Sequence, residues 1–165
     1  MQRLRAFALI TLLAGACSAP VDGKASVSPE SGAVPATVGH VIDGDTVVVR
    51  LPSGEDETVR LIGVDAPEAG ECYGDEARRA LEILLPVGSP LFLSADVSDR
   101  DRFDRLLRYL WVGDLSINQE LVRRGGAVAR RYPPDTAMAE ELARAESMAR
   151  SRELGLWAPD ACEAT

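Results

Sequence analysis

Histidine occurs once in the 165 residues, at His40, and cysteine only three times. A single imidazole excludes the multi-histidine zinc sites, and three thiols are too few for a cysteine-only one. Lysine is almost missing as well: Lys24 stands alone, so 17 of the 18 basic residues are arginine. Arginine offers a planar fork that grips carboxylate or phosphate through paired hydrogen bonds. Compositional bias accounts for most of these positions, and the choice matters only where an arginine falls inside a motif. No apolar run reaches the roughly 20 residues that a membrane-spanning helix needs, and no internal repeat is present. The length suits one domain with a real core and is too short for two. With 46% hydrophobic and 27% charged residues, the chain is neither wholly disordered nor fibrous. Its net charge of −8 argues against a protein that coats nucleic acid through a broad basic face. An oxygen-ligated metal and an acid-rich active site remain open.

Arg3 and Arg5 precede an apolar run, Ala6 to Ala16, that ends at Cys17. A basic start followed by a short hydrophobic stretch and small residues is the pattern of an export signal, so residues 1–17 are read as a signal peptide. Ala14-Gly15-Ala16-Cys17 also resembles the lipobox of bacterial lipoproteins, although Leu13 lies one place earlier than the pattern asks. Lipidation of Cys17 is therefore expected, with ordinary cleavage nearby as the alternative. The product is either anchored in the cell envelope or secreted, or periplasmic. Residues 18–36 are rich in Ser, Ala, Pro, Gly and Val without periodicity and read as a flexible linker. Cys72 and Cys162 remain, and in an exported protein an even pair is most simply a disulfide, with two free thiols as the alternative. Its loop of about 90 residues corresponds to about 4–5 kcal/mol in the chain-entropy model.

The domain spans residues 37–162. Thr37–Leu51 and Glu57–Val64 read as strands joined by the polar turn Pro52-Ser53-Gly54-Glu55-Asp56. Asp75 is placed to cap a helix through Leu85, which Pro86 and Gly88 stop. Leu91–Val97 and Leu106–Val112 read as two more strands. Ser116-Ile117-Asn118-Gln119 has capping-box spacing, and Gly125 follows as a helix stop. A short strand over Ala127–Arg131 and a last helix over Thr136–Arg152, with Met138, Leu142, Ala145 and Ala149 on one face, complete the order. Two hairpin-like pairs around a helix suggest a small barrel with helices packed on it.

Three segments concentrate charge. Asp43-Gly44-Asp45-Thr46 reads either as a bulge in a strand or as a polar turn. Arg60-Leu61-Ile62-Gly63-Val64-Asp65-Ala66-Pro67-Glu68 carries an arginine within an apolar strand and two carboxylates at its end. A turn centred on Ser53-Gly54 places Asp45 opposite Ile62, with Asp65 about three residues further, roughly 10 Å at 3.3 Å per residue. Carboxylate oxygens gathered without imidazole or thiolate suit a hard cation, calcium or magnesium. Asp99 to Arg105 alternates in charge, usually the mark of a solvated loop. Asp99 to Arg131 nevertheless holds eight arginines against five acidic residues, the basic part of an acidic chain.

The blocks V-I-D-G-D-T, V-R-L-I-G-V-D-A-P-E, D-R-F-D-R-L-L-R-Y-L, I-N-Q-E-L-V-R-R-G and E-x-x-A-R-x-x-x-L-G-L-W follow one another between residues 37 and 158. Together they resemble the staphylococcal nuclease (thermonuclease) family. The resemblance implies an α+β fold, a five-stranded OB-fold β-barrel with three α-helices. It implies a hydrolase that cleaves DNA or RNA phosphodiesters with Ca2+ and leaves 3′-phosphates, acting as a monomer. Residue by residue, Asp45 and Asp65 match the calcium carboxylates, the Ala66 backbone carbonyl a further ligand, and Asp43 an outer carboxylate. Glu68 matches the general base, and Arg60 and Arg105 the two catalytic arginines. Arg102 and Phe103 stand where the family has lysine and tyrosine. Tyr132 is the nearest base-stacking aromatic, offset by one from Arg131. These departures bear on substrate grip, outside the bond-breaking set. A non-catalytic OB-fold nucleic-acid-binding module and a structural envelope lipoprotein are the alternatives.

Overall fold

Valine-rich runs on either side of a Gly-containing turn favour a pleated ribbon, and the first strands follow from them. In the computed structural model, which describes residues 32–163, β1 (Val34–Val41), β2 (Thr46–Arg50) and β3 (Asp56–Leu61) form an antiparallel meander. The stretch expected as one strand region, 37–51, is thus two strands broken at Asp43-Gly44-Asp45. The Ile42 N–H donates to the Thr46 carbonyl at 2.9 Å and closes a tight turn there. The acidic motif is a polar turn, and the irregularity in pairing lies between Val38 and His40. At Gly39, between them, a Cβ would stand 2.9 Å from the Val48 carbonyl oxygen.

Downstream come β4 (Val64–Asp65), α1 (Gly74–Leu84), β5 (Pro90–Ser94), β6 (Leu106–Val112) and β7 (Leu115–Ser116). They are followed by α2 (Ile117–Arg123), β8 (Val128–Ala129), α3 (Ala139–Ser151) and a single 3-10 turn at Gly155–Trp157. The strands run β3-β2-β1-β5-β6 with β7 beyond, and a parallel pairing of β3 with β6 closes the five into a barrel. The α+β barrel with three helices expected from the sequence is present. β1 starts at Val34, inside the stretch read as linker, because Val34–Thr37 pair with β5.

Alternation along the strands turns Val47, Val49, Val59, Leu61, Leu91 and Leu93 into the barrel, where helix residues Leu81, Leu121 and Leu142 meet them. Each such side chain contributes about 1.5–3 kcal/mol by leaving water. On α3, Met138, Leu142, Ala145 and Ala149 are buried, the face its periodicity marked. Ser116 caps α2 by accepting the Gln119 N–H at 3.3 Å, and Gly125, at φ +73°, follows its end. Helix α1 differs from expectation. It begins at Gly74 behind Tyr73, held at φ 67°, with no side-chain cap, and Asp75 lies in its first turn beside Glu76. There the two acids still favour the positive end of the helix dipole.

Cys72, just before α1, is disulfide-bonded to Cys162 with a Cα–Cα distance of 5.4 Å. The expected bridge therefore pins the C-terminal end to the start of α1. The signal peptide, Cys17 and the linker as far as residue 31 lie outside the described residues. Among the described residues no helix is long and apolar enough to cross a membrane.

Gly44 sits under both α1 and the segment after β4: a Cβ there would come within 2.5 Å of the Ala66 Cβ and 2.8 Å of the Ala77 Cβ. Ala77 is fully buried in α1 and has no room to retreat, while Ala66 is half-buried. Gly44→Ala is expected to cost about 1–3 kcal/mol as an overpacking substitution, read from the midpoint of urea unfolding. Stability equal to wild type would mean that the turn can lift off α1.

Candidate active site

The β2–β3 register decides where the acidic turn points. The turn closes through Leu51 N–H to the Glu55 carbonyl at 2.9 Å, with Gly54 at φ +91°. It is centred on Ser53 itself, so Thr46 faces Arg60, and the Leu61 N–H donates to the Asp45 carbonyl at 3.0 Å. Asp45 is therefore opposite Leu61, one residue from the expected partner.

Arg60 lies between inward-facing Val59 and Leu61 and turns its side chain toward the end of the barrel. Nη1 donates to the Leu61 and Val64 carbonyls, each at 2.8 Å, which fixes the plane of the guanidinium. Nη2 stands 2.8 Å from Asp45 Oδ2 and 3.4 Å from Asp65 Oδ1. The two carboxylates that the sequence placed in one neighbourhood thus meet at a single nitrogen, closer together than strand spacing alone implied.

Asp45 is only 6% exposed. Its Oδ2 accepts the Ala66 N–H at 3.0 Å and its Oδ1 the Thr46 hydroxyl at 3.0 Å. Burial pushes its pKa from the usual 3.8 up to about 6. Arg60, the Ala66 N–H and the Thr46 hydroxyl work against that rise, and Asp43 adds to it. Asp43 itself turns back and accepts the Asp45 N–H at 3.0 Å, so it orders the turn and stands outside the Arg60 cluster.

Arg105 precedes β6 in a turn organised by Asp101. Asp101 Oδ1 accepts the N–H groups of Phe103 and Arg105, at 2.9 and 3.0 Å. Its Oδ2 lies 2.7 Å from both Nε and Nη2 of Arg105. Burial opposes ionisation of Asp101, but its hydrogen bonds from Arg105 and Phe103 win and hold its pKa below the usual range. The remaining nitrogen, Nη1, faces the Thr46 hydroxyl at 3.5 Å. Asp99–Arg105, expected as a solvated loop, is in part a built turn.

A continuous polar line results: Arg105 to Thr46, Thr46 to Asp45, Asp45 to Arg60, Arg60 to Asp65. It ends where Arg130 Nε meets Asp65 Oδ2 at 3.2 Å. Beside it opens a cleft of about 460 Å3 lined by Arg60, Gly63, Asp101, Arg102, Phe103 and Arg105, with Tyr132 and Asp135 opposite in sequence. Phe103 is 63% exposed and Tyr132 51%, so both rings are available to a ligand. Arg102 and Arg105 lie 4.7 and 5.4 Å from the Phe103 ring centre, the geometry of cation–π contacts.

Glu68 is apart from this line. It is exposed in the loop before α1, its N–H donates to Glu71 at 2.9 Å, and Gly74 packs against its carbonyl, where a Cβ would approach to 2.1 Å. Among the described residues its carboxylate has no hydrogen bond to either catalytic-type arginine. Three participants escaped the sequence reading: Asp101, Arg130 and Asp135. Asp135 is buried and accepts the Val97 and Ser98 N–H groups at 2.9 and 2.7 Å, tying the end of the β5 segment to the cleft wall. Only Asp101 carried a signal, since an aspartate two residues before Phe103 has the spacing of an Asx turn.

No three acidic, histidine or cysteine side chains form a ready-made metal cluster among the described residues. The donors that are present fit a hard cation all the same. Asp45 and Asp65 bring two carboxylates to one point, oxygen donors of the kind a hard cation takes.

Comparison with known proteins agrees with this geometry. Residues 58–159 match the family described as "Staphylococcal nuclease homologue". Over 126 residues the chain is 35% identical to the Thermonuclease of Staphylococcus intermedius, covering 73% of this chain and 74% of that one. It is 32% identical over 124 residues to the Thermonuclease of Staphylococcus hyicus, 72% of each chain. Endonuclease YncB of Bacillus subtilis (strain 168) is 36% identical over 129 residues, 73% of this chain and 60% of its own. On the barrel, the line from Arg105 to Asp65 and these matches, the chain belongs to the staphylococcal nuclease homologue family.

Proposed function

We propose that the chain is an exported, calcium-dependent nuclease that hydrolyses phosphodiester bonds of DNA or RNA and leaves 3′-phosphates, acting as a monomer. The observation that carries this reading is the convergence of Arg60 and Arg105 on the acidic turn at one end of an open cleft. The names of its relatives, thermonuclease and endonuclease, support phosphodiester hydrolysis and a nucleic acid substrate.

A phosphodiester resists attack because it is already an anion, so charge must be offset as water enters. Asp45, Asp65 and the Ala66 carbonyl are the residues to hold Ca2+. When bound, the ion supplies Lewis-acid polarisation of the phosphate. Arg105 is held by Asp101 through Nε and Nη2, which leaves Nη1 to donate to a phosphate oxygen. Arg60 has Nη1 committed to the backbone, so its plane is fixed and a phosphate would share Nη2 with Asp45 and Asp65. Such donors bind more strongly as the five-coordinate transition state gathers charge. Glu68, exposed in the loop before α1, takes the proton of the attacking water. The water oxygen bonds to phosphorus while the bond to the 5′ oxygen breaks, and the departing alkoxide takes a proton from solvent water. Arg102, Phe103 and Tyr132 grip the strand by charge and stacking.

Purified, oxidised protein is expected to cleave plasmid and single-stranded DNA in calcium and to leave both intact in chelator. Arg60→Ala or Glu68→Gln should lower the rate by orders of magnitude, about 10²-fold or more. Intact DNA under every condition, from a folded protein, would sink the enzyme reading.

Calcium binding should depend on pH through Asp45. Its pKa is raised in the folded, cation-free protein, so its contribution to stability is present below pH 4 and lost as pH rises toward about 6. A cation needs the ionised carboxylate, so the rise in Tm that calcium produces should grow across that window. A calcium shift that stays flat from pH 4 to 6 contradicts Asp45 as a ligand.

Export and a lipid on Cys17 complete the reading and rest on the pattern of residues 1–17. Mass spectrometry of membrane-extracted protein is expected to find an acylated N-terminal Cys17, and Cys17→Ser to release the protein from membranes. An unlipidated wild-type product refutes the anchor.

A further inference from the structure

Nearly every arginine in the described residues is neutralised. Arg50, Arg60, Arg78, Arg79, Arg100 and Arg105 stand in ion pairs with carboxylates. So do Arg108, Arg123, Arg124, Arg130, Arg144 and Arg150. Arg102, Arg131 and Arg152 are the exceptions among the described residues. Arg102 belongs to the cleft already described, and Arg152 caps the far end of α3. Arg131 remains.

Arg131 is exposed and lines a second groove of about 250 Å3 together with Gly63, Arg130, Glu140 and Glu146. Gly63 also lines the main cleft, so the two depressions adjoin. Of the groove's acids, Glu146 is paired with Arg150 at 2.8 Å, while Glu140 is exposed and 3.6 Å from Arg144, which lies closer to Glu141. Arg130 is the terminus of the polar line through Asp65, opposite the end marked by Arg105 and Phe103. Its backbone is fixed by an N–H to the Gly63 carbonyl at 2.9 Å and by the pairing of β4 with β8. Arg130 is thus rigidly based beside Gly63, and its neighbour Arg131 pairs with no acid among the described residues.

We propose that this groove is a second phosphate subsite, in which Arg131, with Arg130 beside it, takes the backbone of a nucleic acid strand that continues past the cleft. The inference rests on the nuclease reading and extends it: the substrate is a polynucleotide held on both sides of Gly63, beyond the nucleotides around the broken bond. An unpaired guanidinium at a groove is suited to a phosphodiester backbone, whose charge does not depend on base sequence.

The test is fluorescence anisotropy with labelled oligothymidylates of three and twelve nucleotides, titrated in chelator with the full chain and its Arg131→Gln and Arg152→Gln variants. Arg131→Gln is expected to weaken the twelve-mer about five-fold and the three-mer by less than about two-fold. It should also lower the slope of log K against log salt for the twelve-mer by about 0.7, the value for one phosphate contact on a single strand. Arg152→Gln removes the same charge outside the groove and should do neither. Equal weakening of both lengths, no weakening, or the same loss in Arg152→Gln overturns the subsite. A wild-type chain that binds neither length, in chelator or in calcium, overturns the nuclease reading and the subsite with it.

Discussion

The guanidinium of Arg60 is the contact on which this end of the barrel depends. It joins the turn before β2, the end of β3 and the short strand β4 through two carbonyls and two carboxylates. Arg60 pulls the pKa of Asp45 down against the burial that raises it, and Arg60, only 15% exposed at its side chain, has the acids as its charge partners there. Breaking such a pair by removing one partner leaves a buried charge uncompensated, typically the costlier outcome. The geometry of the site is therefore also a condition of local folding.

The same economy of charge changes the meaning of the net −8. Arginines across the surface are matched with acids one helical turn away or across a strand, as in Arg78–Glu82, Arg50–Asp56 and Arg100–Glu57. Such pairs cancel at a distance, because solvent and salt screen them within about 10 Å. On the proposed function, nucleic acid would meet little attraction until it reached the cleft, where Arg102, Arg105 and the exposed Phe103 and Tyr132 rings stand together. Recognition is local, and the sign of the whole molecule has little say in it.

Much of the fold was legible because the signals were local. The valine alternation of β2, the Ser116 cap and the buried face of α3 each depend on neighbours within a turn or two. The break at Gly44 was harder, since glycine between two acids fits a bulge and a turn equally. What decides it is the lack of space under Ala66 and Ala77, both distant in sequence. Register slipped by one because the hairpin turn centres on Ser53. The Asp101 turn was masked by alternating charge that solvated loops share. Arg130 had no readable signal at all: its pairing with Asp65 follows from β8 lying against β4, a two-residue ladder that no pattern announces.

The parallel pairing of β3 with β6 has a bearing on time. It sets Arg60 beside Leu107 and Leu61 beside Arg108, residues with a helix and two strands between them in the chain. Contacts of that span must first overcome the entropy of the loop they close, and they tend to form late in folding. Arg60 and Arg105 reach the same acidic turn only once that seam is shut. A chain that is still partly folded can hold either half of the constellation and never both, so competence arrives together with closure of the barrel.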